Sequence, residues 1–169
     1  VGVFRAGGVH VVPKARVRLD TGASFKTDFE LIEGRVGTLD VDYEARCGPY
    51  SVLEMTAKVS GKAEDRIRLR EVGHLEGEYA RGVLTSRVAV RDAAEAEIYN
   101  ELTASAAGAR GHVDCQEIIQ GGGVAGAVPV VRVSHPKAHV THEAALGSVD
   151  AKQLQTLMAR GMTEDEASE

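Results

Sequence analysis

Apolar and polar residues alternate along most of this chain. From residue 1 to about residue 146, short stretches such as SFKTDFELIE, GVLTSRVAVRD and HVDCQEII have a period of two and carry many β-branched residues. Glycines interrupt these stretches roughly every 10 to 15 residues, as turns between strands do. The predicted breaks are at Gly34, Gly48, Gly61, Gly73, Gly82, Gly108, Gly121 and Gly147. The pattern predicts an all-β body, in which one short stretch, RDAAEAEIYNEL, is also compatible with a helix.

The pattern changes to a helical period after Gly147. Three apolar residues of SVDAKQLQTLMARG share one helical face: Leu154, Leu157 and Met158. Ser148 or Asp150 can cap the start of this helix, and Gly161 stands where a helix-ending glycine is common. The sequence therefore predicts a short helix here.

A second helix is predicted to begin in MTEDEASE. Thr163 and Glu166 have the spacing of a capping box. In this motif the Thr side chain bonds the backbone N–H of the Glu, and the Glu side chain bonds the backbone N–H of the Thr. We expect two regions, a β-body over residues 1–147 and a C-terminal helical segment over residues 148–169. Because the chain opens on Val1 and ends within this helix, we expect a fragment of a longer protein.

Composition narrows the kind of β-body. Trp is absent and aromatic residues are 4% of the chain, while glycines number 19. A core without large aromatic anchors must be filled by small aliphatic side chains in regular layers. A sandwich, a barrel and a β-solenoid with imperfect repeats all remain open.

Charge and cysteine content restrict the function classes. The net charge is −5 without a Lys/Arg-rich tract, which argues against a nucleic-acid partner. No apolar run reaches the roughly 18 residues of a transmembrane helix, so no membrane association is expected. Two cysteines are too few for a secreted disulfide scaffold. We therefore expect a soluble, cytoplasmic protein with free thiols.

A glycine-rich stretch, QGGGVAGAV, matches the GxGxxG pattern at Gly121, Gly123 and Gly126. Dinucleotide binding requires a helix to open there, since the helix N-terminus holds the pyrophosphate. The next residues, AVPVVRV, are β-branched and include Pro129. A glycine-rich β-turn is the preferred interpretation.

Three histidines close together, His135, His139 and His142, suggest a metal site. On a strand, residues two apart share a face, so His139 and Glu143 would point one way and His142 the other. One regular strand cannot bring the three histidines together, and Pro136 favours a turn at His135. The two cysteines are equally ambiguous, since a free Cys is most often a small buried side chain. Cys115 shares a strand face with Val113 and Glu117, and Cys47 stands beside a probable turn.

The C-terminal third resembles the SufB/SufD family of iron–sulfur cluster assembly proteins. The resemblance rests on HEA at residues 142–144, the helix pattern QL-x-x-L-x-x-RG that ends at Gly161, and the acidic EDEA at residues 164–167. Upstream, GHVDCQEIIQGGGVAGAVPVVRVSHPKA is similar to the family segment with a functional cysteine, a turn and a Pro-containing strand. In this chain the spacing from the cysteine to the His-Glu pair is about one residue shorter than in the family. The resemblance is strong from about residue 108 to the end of the chain. Before residue 108 only the general pattern of alternating residues interrupted by glycines is compatible with the family.

The resemblance implies a right-handed parallel β-helix followed by a short C-terminal helical tail. It places the family's functional cysteine on Cys115 and its His-Glu pair on His142 and Glu143. SufD-type members lack this cysteine, so the chain looks SufB-like, in a short archaeal-like form or as a truncated core. The implied function is a non-enzymatic scaffold that assembles an iron–sulfur cluster transiently.

The resemblance also implies partners. A SufC-like ABC-type ATPase would dock on the C-terminal helices, since this chain has no Walker motif of its own. Cluster irons typically take four ligands, mostly Cys thiolates. One well-placed cysteine, Cys115, cannot supply them, so we expect a dimer, either a homodimer or a SufB/SufD-type heterodimer. His142 and Glu143 would complete the ligand set at the shared interface.

Two other functions remain open at this level. In a thiol enzyme, Cys115 would be the nucleophile, His142 its base and Glu143 the group that orients the base. Adjacent strand residues point to opposite faces, which places Glu143 badly for that role. In a purely structural β-solenoid, Cys115 and His142 would be packing residues.

Overall fold

The computed structural model describes residues 8–148, 158–161 and 163 of the chain. This part of the chain folds almost entirely into β-strands. The strands are β1 Val9–Val11, β2 Lys14–Leu19, β3 Ser24–Leu31, β4 Gly37–Cys47, β5 Val52–Gly61, β6 Arg66–Leu75, β7 Arg81–Val90, β8 Glu95–Ala104, β9 Arg110–Ile119, β10 Val124–Val133 and β11 His139–Ser148.

The strands wind alternately into two parallel sheets. One sheet has the order β1-β4-β6-β8-β10, with β2 also beside β4, and the other has the order β11-β9-β7-β5-β3. The strand pairs are parallel, and from β2 onward strands that follow each other in the chain lie in different sheets. Each pair of strands is therefore one turn of a β-solenoid of about five turns, which confirms the predicted β-helix and excludes the sandwich and the barrel.

Strand alternation follows the sequence pattern closely. In β8 the side chains of Ala96, Ile98 and Leu102 are buried, while Glu95 and Glu97 are exposed. This strand lies within RDAAEAEIYNEL, the stretch that was also compatible with a helix. Its period of two fits a strand with one buried face, and that face is what the solenoid requires.

The core consists of two apolar clusters built from small aliphatic side chains, as the composition predicts. On β6, Leu69 belongs to one cluster and Leu75 to the other. Glu71 lies between them on the same inward face and is completely buried. The interior is therefore divided midway along the strands by a polar position.

The glycines have two different roles, and three of the eight predicted breaks are wrong. Gly34, Gly108 and Gly121 lie in turns with φ of 80°, 71° and 61°, values that favour glycine. Gly48 follows β4 in a turn, and Gly61 is the last residue of β5 before a turn. The other three predicted breaks fall inside strands: Gly73, Gly82 and Gly147. At Gly73 an added Cβ would lie 2.7 Å from a methyl carbon of Leu102, so a larger residue there would force that side chain to move.

On most of the charged outer face of the six-stranded sheet the sign alternates from strand to strand, with Arg46 on β4, opposite Arg18 on β2, as an exception. The outward side chains that alternate are Lys14, Arg16 and Arg18 on β2, Asp40, Asp42 and Glu44 on β4, Arg66, Arg68 and Arg70 on β6, and Glu95, Glu97 and Glu101 on β8. Arg70, for example, contacts Asp42 at 2.7 Å and Glu44 at 3.2 Å. Arg16 is the main reason, and Arg70 a further one, that the pKa of Asp42 lies below its usual value.

The predicted C-terminal helices lie mostly outside the described residues. Strand β11 continues to Ser148, one residue past the expected end of the β-body. Gly161 has φ of 98° and its N–H bonds the carbonyl of Met158 at 3.0 Å, which is a single turn and does not support the predicted helix. Of the second predicted helix only Thr163 is described. Nowhere in the described ranges is there a helix of the length and apolarity that crossing a bilayer requires.

Candidate functional site

Cys115 lies on the inward face of β9, one strand from the end of its sheet. Its register partners are Ser86 on β7 and Ala144 on β11. Val113 and Glu117 share its face, as the sequence predicts, and all three side chains are buried. The Cys115 side chain has no exposed surface. The structure therefore confirms the buried free thiol expected of an isolated cysteine.

The surroundings of Cys115 keep its thiol protonated. Burial is the largest cause that raises its pKa to about 12, and the carboxyl groups of Glu117 and Glu71 raise it further. Arg87 opposes these effects only weakly. A thiol nucleophile requires a lowered pKa, so this environment argues against the thiol-enzyme hypothesis.

A polar cluster lies in the interior beside Cys115. It consists of Glu71 on β6, Ser86 on β7 and Asn100 on β8, all without exposed surface. Asn100 Nδ2 donates to Glu71 Oε2 at 3.1 Å, and the Ser86 hydroxyl lies 2.9 Å from Asn100 Nδ2 and 3.3 Å from Glu71 Oε2. Glu71 Oε1 has no hydrogen-bond partner in the described part of the chain.

Burial raises the pKa of Glu71 to about 7, and the hydrogen bonds from Asn100 and Ser86 offset only part of that effect. The sequence analysis missed this cluster. The signal was present, however, because Glu71, Ser86 and Asn100 each occupy a position where strand alternation requires an apolar residue. Polar residues at inward positions indicate a specific role, since an unpaired buried carboxyl is costly.

His142 and Glu143 lie on β11, the last described strand of its sheet. His142 is the register partner of Val113 and shares the strand face of Val140, which packs against the core. It therefore stands on the same side of its sheet as Cys115, one strand further along and offset by two positions. Strand spacings place the two Cα atoms roughly 8 Å apart. Cys115 and His142 thus occupy neighbouring turns of the solenoid.

Glu143 is the register partner of Asp114 and lies on the opposite face of β11 from His142. Both β11 residues are exposed. Across the described ranges, no three His, Cys, Asp or Glu side chains are grouped closely enough to hold a metal ion. Cys115, His142 and Glu143 therefore do not form a metal site by themselves, and their assignment as ligands stays a prediction.

The other histidines follow the local sequence. His135 lies in the turn before β11, and its Nδ1 accepts the N–H of Lys137 at 3.1 Å. His139 begins β11 on the face that carries Glu143. The three histidines do not converge, as strand alternation predicts. The GxGxxG stretch forms a turn at Gly121 followed directly by β10, which excludes the helix that a dinucleotide site needs.

Cys47 provides a useful contrast with Cys115. It is the last residue of β4, 1% exposed, and burial raises its pKa to about 11. It borders an open depression of about 370 Å³ lined also by Arg18, Arg46 and Glu76. The two cysteines are alike in burial and protonation, but Cys115 alone of the two lies beside the last described turn.

Comparison with known proteins identifies the family. The sequence matches the family model described as "SUF system FeS cluster assembly, SufBD core domain" over residues 5–169. Iron–sulfur cluster assembly SufBD family proteins of Methanocaldococcus jannaschii and Pyrococcus horikoshii are 39% and 38% identical to it over 163 and 162 residues. A further SufBD family protein of Pyrococcus horikoshii is 26% identical over 167 residues.

The alignments to the first two relatives cover 96% of this chain in each case, but 52% and 50% of the relatives. For the third the shares are 95% and 36%. The chain therefore spans about half the length of the two most similar of these relatives. The match over nearly the whole chain, together with the parallel β-solenoid, establishes that the chain belongs to the SufBD family of iron–sulfur cluster assembly proteins.

Proposed function

We propose that this chain is the β-helical core of a scaffold on which iron–sulfur clusters are assembled, and that it binds the cluster without catalysing a reaction of its own. The observation that carries this proposal is the position of Cys115. This thiol lies one strand from the end of the sheet, with His142 on the same side of the last described strand. An iron–sulfur cluster bound beside the last described strand would use the soft thiolate of Cys115 and the imidazole of His142, both common ligands of iron.

Iron binding to Cys115 must displace the thiol proton and open a path to the sulfur. A thiolate is the form that binds metal, so the raised pKa makes the thiol a weak ligand until iron arrives. Ala144 is the neighbour of Cys115 on β11, and its side chain is a single methyl group. Movement of one exposed strand would therefore uncover the sulfur. A ligand that is hidden at rest suits a scaffold that must also release its cluster.

A second chain would complete the site. The described residues of one chain bring no three candidate ligands together. Two copies, or this chain and a related one, would supply two cysteine-bearing ends, with His142 and Glu143 as further candidates. The site at a dimer interface would then be formed and broken together with the interface.

An ABC-type ATPase of the SufC kind would drive that change. The GxGxxG stretch is a β-turn, so it does not provide the helix-opening phosphate loop of a nucleotide-binding protein. Docking on the segment after Ser148, which directly follows β11, would connect the ATPase to the strand that covers Cys115. The C-terminal helical tail and the cytoplasmic location belong to this same proposal.

The proposal is tested by chemical reconstitution of the full-length protein with ferrous iron and sulfide, followed by visible absorption and iron analysis. We expect Cys115→Ala to lose most of the absorption that the parent protein gains. Cys47→Ala is the matched control, because Cys47 is an equally buried, protonated thiol away from the last turn. It should retain the cluster.

Equal cluster content in Cys115→Ala and the parent would contradict the role of Cys115. Circular dichroism of both variants checks that each retains its β-structure, so that a loss of cluster is not a loss of fold. His142→Ala and Glu143→Ala separate the two remaining candidates. Loss of cluster in only one of them identifies the ligand.

A further inference from the structure

The outer face of the five-stranded sheet carries a pair of arginines without counter-ions. Arg81 begins β7 and Arg110 begins β9, and the two are direct register partners on neighbouring strands. Both are exposed, and within the described residues neither makes an ion pair or a side-chain hydrogen bond. His139 is the register partner of Arg110 on β11 and continues the same column.

Many other cations of the described surface have carboxylate partners, and this includes Arg46, which lies opposite Arg18 and is paired with Glu76. Arg70 is bound by two carboxylates, Lys58 contacts Glu30 at 2.7 Å, and Arg87 on the same sheet pairs with Asp114. Like charges directly opposite each other on neighbouring strands are destabilising. Strand spacing sets the two arginine backbones only about 5 Å apart. An anion from outside the chain would relieve the repulsion.

The arginines border an open depression of about 650 Å³. Its other lining side chains are Tyr79, Val83 and His112, with glycines between them. This volume is within the range of about 300–1,000 Å³ that is typical of small-molecule sites. The depression is therefore large enough for a small anionic molecule.

Tyr79 forms a fixed wall of the depression. Its ring stacks on that of Tyr50 with centroids 5.3 Å apart. On Gly108, an added Cβ would lie 2.6 Å from the Tyr79 ring, which shows how closely the ring lies over that turn. Tyr50 occupies one face of the ring, and Tyr79 remains 54% exposed. The arginines are the groups that would select the charge of the ligand.

We propose that Arg81 and Arg110, with His139 at the end of the column, form a binding site for a phosphoryl group of a small molecule. Guanidinium groups bind phosphate oxygens through paired N–H donors, and two of them side by side suit a dianionic or diphosphate group better than a single carboxylate. The site lies on the outer face of the sheet that holds Cys115 on its inner face, and it is independent of the cluster chemistry.

The test is a titration of the full-length protein at constant ionic strength, followed by the backbone amide resonances of Arg81 and Arg110. The probes are inorganic phosphate, pyrophosphate, ADP and a poly-glutamate peptide. We expect pyrophosphate to bind more tightly than phosphate. Arg81→Gln and Arg110→Gln should each weaken pyrophosphate binding about tenfold, since each removes a charge-assisted pair of hydrogen bonds.

Lys14→Gln is the matched control. Lys14 is an exposed cation on the other sheet, so this variant changes the net charge equally without touching the site. Its affinity for pyrophosphate should stay within about twofold of the parent protein. Tighter binding of ADP than of pyrophosphate would show that the ligand is a nucleotide, and equal binding would show that the diphosphate alone is recognised.

Three results would overturn the proposal. Loss of affinity in Lys14→Gln equal to that in Arg110→Gln would show general charge attraction. Shifts caused by poly-glutamate but by neither phosphate nor pyrophosphate would show a surface for acidic proteins. Full affinity in the Arg81→Gln, Arg110→Gln double variant, with its circular dichroism unchanged, would place any binding elsewhere.

Discussion

At the scale of single residues, the interior carboxyl of Glu71 has the clearest consequence for stability. Burial raises its pKa from 4.5 in a model compound to about 7 in the folded protein. Between these two values the folded state binds more protons than the unfolded state. The free energy of unfolding must therefore fall as the pH rises from about 4.5 through 7, and it should change little from this group above that range.

We expect Glu71→Gln to remove this part of the pH dependence. The amide keeps the size of the carboxyl and can still meet Asn100 and Ser86, but it does not ionise. Between pH 5 and pH 8 the parent protein should lose about 2 to 3 kcal/mol relative to the variant. Urea unfolding at both pH values measures this difference. A parallel pH dependence in the two proteins would show that Glu71 is not the titrating group.

Single residues also show what the sequence could and could not predict. The burial of Cys115 with Val113 and Glu117 follows from alternation alone, and so does the separation of the three histidines. The interior cluster around Glu71 was missed, because a lone glutamate in a strand usually faces solvent. Its inward position could have been found from strand alternation, but the register was needed to place Asn100 next to it.

At the scale of strands and turns, glycines were the least predictable residues. A glycine marks a turn when φ is positive, as at Gly108, but it also marks a site where a neighbouring side chain leaves no room. The sequence does not distinguish these two cases. The position and inward face of the strands were predictable, whereas the closeness of Leu102 to Gly73 depends on another turn of the solenoid.

The two kinds of strand glycine predict opposite effects of alanine. In Gly73→Ala the new methyl group would lie 2.7 Å from Leu102 and 2.9 Å from Leu53, so we expect a loss of about 1 to 3 kcal/mol. Gly126, on β10, has no atom within 4 Å of an added Cβ. There alanine should be neutral or stabilise slightly, since it restricts the unfolded chain. Thermal or urea unfolding of both variants provides the comparison, and equal losses would contradict the packing argument.

At the scale of the whole molecule, the proposed ATPase partner sets the next experiment. We expect the full chain to capture an ABC-type ATPase of the SUF system, and a chain ending at Ser148 to lose that capture while keeping its β-structure. Arg81→Gln, a substitution on β7 that leaves the C-terminal segment unchanged, is the control that should bind normally. Capture by the shortened chain would assign the partner to the β-solenoid.

The solenoid also has a structural repeat of 28 or 29 residues that no repeated sequence motif accompanies. No repeated motif can be written for the chain, yet Arg66 meets Glu95 after 29 positions and Arg70 meets Asp42 after 28. An amphipathic alternation was enough to predict the strands, but not this interval, because each turn fills its interior with different side chains. Comparing residues 28 or 29 apart would have revealed both the alternating charges and the column of Arg81, Arg110 and His139.

That interval also limits how the chain can change in length. A turn contacts chiefly the turns before and after it, so a whole turn is an exchangeable unit, whereas the loss of one residue within a strand moves every later inward side chain to the outside. Deletions should thus be tolerated as complete turns or at the turn tips. Under the proposed role of Cys115, the length of chain from this residue to the end of β11 would have to be kept. Insertion of whole turns before β9 would lengthen the solenoid and leave the strands that carry Cys115 and His142 unchanged.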